Sequence, residues 1–71
     1  MIRYYSRSLT DRNHLYKFDD ITKKFYWMDH CWTGYGEWVL RDCPILEIVE
    51  IGEEYAMEIS KGALHTAKEV E

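Results

Sequence analysis

His30 and Cys31 are adjacent, Cys43 lies twelve residues on, and His65 is distant from all three. These are soft ligands of the kind zinc takes, but structural zinc draws on closely spaced pairs such as C-x2-C. Adjacent residues on a strand point to opposite faces, so His30 and Cys31 are poorly placed to chelate together. We read the cysteines as small apolar residues and expect no metal and no cofactor. The same residues sketch a thiol nucleophile, Cys31, with His30 or His14 as its base. In the hairpin register argued below, His14 stands across from Asp29, which would orient an imidazole. The plainer reading is an edge ion pair between His14 and Asp29. A chain of 71 residues has little room for a cleft that holds a substrate and excludes water. No serine sits in a Gly-x-Ser-x-Gly turn. Thr33-Gly34-Tyr35-Gly36 has two glycines but lacks the third glycine and the strand-to-helix setting of a dinucleotide fingerprint. We expect a protein that is not an enzyme.

Charge is more informative. The net charge is −4, but residues 1–30 carry +2 and residues 42–71 carry −6. Arg3, Arg7, Arg12, Lys17, Lys23 and Lys24 share the first half with most of the tyrosines. Small sheets bind single-stranded nucleic acid by stacking bases on exposed rings beside such cations. Against that reading, the chain is acidic overall, whereas a strongly basic domain is the usual footprint of a nucleic-acid binder. The second half sets Asp42, Glu47, Glu50, Glu53, Glu54 and Glu58 in one stretch. Six carboxylates over that length could stand in for a line of phosphates before a basic groove.

Those residues must be held by elements, and the clearest is the hairpin from His14 to Met28. Asp19, Asp20, Thr22 and Lys23 supply turn chemistry. A four-residue loop at Asp20 to Lys23 puts Asp19 opposite Lys24, Phe18 opposite Phe25, and Tyr16 opposite Trp27. Alternation then gathers Tyr16, Phe18, Phe25 and Trp27 on one face. Before it, Met1 to Leu9 reads as a strand and Thr10 to Asn13 as a turn. After it, residues 31–36 read as a glycine loop whose glycines permit positive φ. Glu37 to Asp42 reads as the return strand, stopped by Pro44. Ile45 to Ile51 reads as a strand or extended segment, its β-branched residues favouring the former. Gly52 is an acceptable N-cap, and Glu53 and Glu54 suit a first helical turn. Ala56, Ile59, Ala63, Ala67 and Val70 recur at helical steps. A helix is therefore expected over 53–61, continuing toward 69.

The fold class that follows is α+β: one small domain over residues 1–71, with an antiparallel meander of four to five strands and one C-terminal helix. The helix is expected on the face carrying Tyr16, Phe18, Phe25 and Trp27. At this size the core is thin, and the 15% of aromatic residues is the compensation, since each large ring buries about 150–250 Å². No apolar run approaches the ~20 residues that span a bilayer, and MIRYYSRSL lacks the apolar core of a signal peptide. We expect a cytoplasmic protein with reduced thiols.

The functional expectation is a small acidic protein-interaction domain. Trp32 and Tyr35 of the glycine loop are its expected anchors, and Glu47, Glu50, Glu53, Glu54 and Glu58 its steering surface. The expected partner is a protein with a basic surface, and a homodimer is the second possibility. In its sharper form the domain is an inhibitor occupying a nucleic-acid-binding surface of its partner. Small acidic phage proteins that block such host machinery, anti-CRISPR proteins among them, use this strategy. The likeness is one of size and charge, and no family motif is matched. The alternative is a single-strand nucleic-acid-binding module using the basic aromatic half.

Overall fold

The computed structural model describes residues 1–29 and 36–60, and the backbone of 68–70. The hairpin forms in the expected register. β2 (Tyr16–Asp19) pairs with β3 (Lys24–Asp29), with Tyr16 opposite Trp27, Phe18 opposite Phe25 and Asp19 opposite Lys24. Asp19 closes the loop by local bonding. Its Oδ1 accepts from the Ile21 amide at 2.9 Å and the Thr22 amide at 3.3 Å, and its carbonyl accepts from the Lys23 amide at 2.8 Å. Lys23 takes a φ of 63°, the left-handed conformation that costs a side-chain-bearing residue roughly 1–2 kcal/mol.

β1 (Ile2–Ser6) pairs with β2, and β4 (Glu37–Leu40) pairs with β3, both antiparallel. β1 stops at Ser6, short of the expected Leu9. The buried Ser6 hydroxyl donates to the His14 carbonyl at 2.8 Å, and the turn that follows bonds to itself through Ser8 and Asp11. β5 (Val49–Ile51) joins the free side of β1, antiparallel again. With α1 (Glu53–Ser60) these five strands, in the order β5-β1-β2-β3-β4, make the expected α+β fold. A sixth strand extends it. β6 (Lys68–Val70) runs parallel to β4, so the helix does not continue to 69. The outer side of β4 carries backbone donors and acceptors that need partners, and a strand can supply them where a helix cannot.

Register assigns the faces. Tyr4 lies opposite Ile51 on one side and Lys17 on the other; Lys17 lies opposite Tyr26, and Met28 opposite Trp38. This face carries the buried cluster Leu15, Tyr26, Met28, Trp38 and Ile51, and α1 lays Ala56 and Ile59 on it. The expectation that the helix covers Tyr16, Phe18, Phe25 and Trp27 is therefore wrong. Those four rings do share a side, with successive centroids 5.4–6.3 Å apart, but it is the opposite one. The hairpin alone does not decide which face the helix takes. Trp38 from β4 and Ile51 from β5 do, because both point to the other side.

The ring-bearing face has its own cover. Between β4 and β5 the chain must cross from one side of the antiparallel sheet to the other, four strand spacings or about 19 Å. Residues 41–48 make this crossing as a strap; only Val49–Ile51 of the expected Ile45 to Ile51 strand is a strand. The strap is tied down where the Trp27 indole N–H donates to the Asp42 carbonyl at 3.0 Å. Cys43 and Ile48 of the strap close a space against Tyr5, Phe18 and Phe25.

Gly36, just before β4, is required by a close approach. A Cβ there would run into the Sδ of the buried Met28, and the backbone does not use the left-handed region that a glycine permits.

Candidate partner-binding surface

The expected anchors Trp32 and Tyr35 lie outside the described residues, as do His30, Cys31 and His65. The five expected glutamates are all described. Residues 47–58 hold Glu47, Glu50, Glu53, Glu54 and Glu58 with no Lys or Arg among them, and every one is exposed. They do not share a face. Glu50 stands opposite Tyr5, on the side of the strap. Glu53, Glu54 and Glu58 belong to α1, on the other side. Chain order brings them together at the rim: Glu47 ends the strap, Glu50 is in β5, and Glu53 and Glu54 open the helix that turns back over the sheet. Glu54 and Glu58 are one helical turn apart and so are neighbours.

Two of the five meet counter-charges that the sequence blocks do not suggest. Arg3 Nη1 lies 3.6 Å from Glu50 Oε1, and Arg12 Nη2 lies 3.2 Å from Glu58 Oε1. Both pairs are about half exposed, and such pairs contribute about 0–1 kcal/mol. They reduce the local charge without burying it. Among the described residues Glu47, Glu53 and Glu54 form no ion pair. Glu53 is felt across the helix start: burial first, and then its negative charge, push the Tyr4 phenol above its ordinary range.

His14 does not meet Asp29. Its Nδ1 lies 2.7 Å from Asp11 Oδ2, and Arg7 Nη1 lies 3.4 Å from its Nε2. The contact with Asp11, three residues away in the turn after β1, is local and wins over one across the sheet. Asp11 is part of a small polar hub that also receives the Asn13 amide on its carboxylate and the Tyr55 hydroxyl on its carbonyl. No thiol or hydroxyl is bonded to the imidazole in place of a nucleophile among these contacts. Cys43 is a free, exposed thiol on the strap. Among the described residues no group of three or more His, Cys, Asp or Glu is placed to hold a metal ion, and no helix is long and apolar enough to cross a membrane.

A second feature is missed by sequence reasoning: the basic side of the strap. A groove of about 480 Å³ has Phe18, Phe25 and Leu40 in its walls, with Lys23, Lys24 and Arg41 around them. The Arg41 guanidinium lies 5.8 Å from the centre of the Trp27 ring. The signal in the sequence is thin: Arg41 closes a strand and Lys23 and Lys24 close a turn, and only the crossing of the strap sets them on one groove. Lys17, by contrast, leaves the basic surface altogether. It is buried on the helix side, its Nζ 4.8 Å and 4.7 Å from the ring centres of Tyr26 and Trp38.

No family model, curated protein or solved structure matches the chain.

Proposed function

We propose that this chain is a non-catalytic protein-interaction domain of the cytoplasm whose acidic rim receives a basic surface of another protein. The observation that carries the reading is the run of exposed glutamates from the end of the strap through β5 into α1, with Glu47, Glu53 and Glu54 lacking counter-charges among the described residues. Exposed charge of one sign steers an oppositely charged partner and raises the rate of encounter. An inhibitor that occupies a nucleic-acid-binding surface is the specific form we favour, because such surfaces are built to receive rows of anionic groups. The two arginine pairs make the rim less dense in charge than a strand of phosphates, so the rim supplies steering and needs apolar contact beside it for affinity.

The test is titration of the full chain with a lysine-rich peptide at low and high salt. Binding is expected, weakening as salt rises. Substituting Glu53, Glu54 and Glu58 together by Gln is expected to weaken it by about tenfold. Asp29→Asn with Glu37→Gln and Asp42→Asn, three charges removed away from the rim, serves as a control for net charge. No binding, or equal losses in both variants, removes the rim from the function. A short single-stranded oligonucleotide goes in a parallel arm; binding there instead transfers the role to the basic groove and the alternative reading.

A further inference from the structure

The strap carries an apolar projection that none of the described residues covers. Ile45 is 103% exposed and Leu46 is 49% exposed, at the middle of residues 41–48. A single exposed aliphatic residue is ordinary. Here the projection stands beside an opening of matching character. Cys43 and Ile48 of the same strap, with Tyr5, Phe18 and Phe25 of the sheet, line a cavity of about 290 Å³. An apolar knob and an apolar hole thus lie on one face, within six residues of chain.

The charges along the strap are polar in the same sense. At the β4 end stand Arg41, Lys23 of the hairpin loop and Lys24 at the start of β3, against Asp42. At the β5 end stand Glu47 and the Arg3–Glu50 pair. A surface that is basic at one end, apolar in the middle and acidic at the other matches its own image turned by a two-fold rotation. Isologous dimers have this property: each contact is made twice, once in each direction.

From this we infer that the strap face is a homodimer interface. A second copy related by a two-fold axis near residues 45 and 46 sets each Ile45 into the cavity of the other chain. The same rotation sets each Arg41 against the partner's Glu47. The molecule measures 26 × 24 × 20 Å, so its broad face falls short of the ~800 Å² per partner of a standard interface. The dimer is accordingly a weak, transient one. The interface shares Glu47 with the acidic rim, but its test reads self-association and leaves Glu53, Glu54 and Glu58 of α1 untouched, so the two readings fail separately.

Sedimentation equilibrium of the full chain is the test. Self-association is expected as concentration is raised to about 0.5 mM. Ile45→Asp is expected to leave a monomer with an unchanged circular dichroism spectrum, since the side chain is fully exposed. Arg41→Glu and Glu47→Arg are each expected to weaken association by about tenfold or more, and the double variant, which restores opposite charges across the two-fold, to recover it. A wild-type chain that stays monomeric overturns the inference. So does an Ile45→Asp chain that associates as well as the wild type, or a double variant no better than the singles.

Discussion

Three aspartates hold the turns of this sheet, and each has its carboxyl below the ordinary range. At Asp11, burial works upward, but the Asn13 amide, the His14 ring and the charge of Arg7 outweigh it. At Asp19 the largest influence is the Ile21 amide, with Thr22 adding to it. At Asp20 it is the N-terminal ammonium of Met1, 2.6 Å away. A carboxyl with a lower pKa folded than unfolded contributes stability that is complete above the unfolded value, about 3.9. That contribution is lost as pH falls through the lower folded value. Urea unfolding is therefore expected to show stability flat near neutrality and falling below about pH 4. Asp19→Asn is expected to be less stable at pH 7 and to lose less on acidification. Residue by residue, the turn was readable because its chemistry is local: Asp19 bonds within three positions. The partners of Arg3 and Arg12 were not, since they depend on β1 lying beside β5 and on the turn after β1 meeting α1; His14 found Asp11 three positions away, where the register had pointed across the sheet.

At the scale of elements, strand alternation told which rings share a side, and that held. It did not tell which side receives the helix. The rings of β2 and β3 are apolar on both faces, Tyr16 and Phe25 on one, Tyr26 and Met28 on the other, so the hairpin has no preference of its own. Nor did Ile45 to Ile51 announce a crossing segment. Its β-branched residues read as strand throughout, and only the last three found a free neighbour, β1. The joint between β3 and β4 is where an element is fixed by one residue. Met28 occupies the place a side chain at 36 would need. Gly36→Ala is expected to cost about 1–3 kcal/mol, the usual price of overfilling a packed interior, measured as a lower urea midpoint with an unchanged slope.

In the whole molecule the two charge blocks of the sequence do not remain apart. β1, with Arg3, sits beside β5, with Glu50, and the turn carrying Arg12 meets α1. The acidic half is partly neutralised by the basic half, leaving the rim as its exposed remainder. What the sequence made plain was the class of fold and the sign of the surface. What it hid was the path of the chain over the two faces, which depends on contacts between residues forty or more positions apart, such as Tyr4 with Ile51.

The strap and the helix cross opposite sides of one sheet, and they come from consecutive lengths of chain. A ribosome therefore releases the first four strands with both surfaces bare, and every lid arrives in the last thirty or so residues. Until then the nascent sheet offers greasy sides to its surroundings, the condition under which folding intermediates clump. A fragment of residues 1–40 is expected to scatter light at concentrations where the full chain stays clear; a fragment that remains dispersed and folded would show that the wrapping is ornamental.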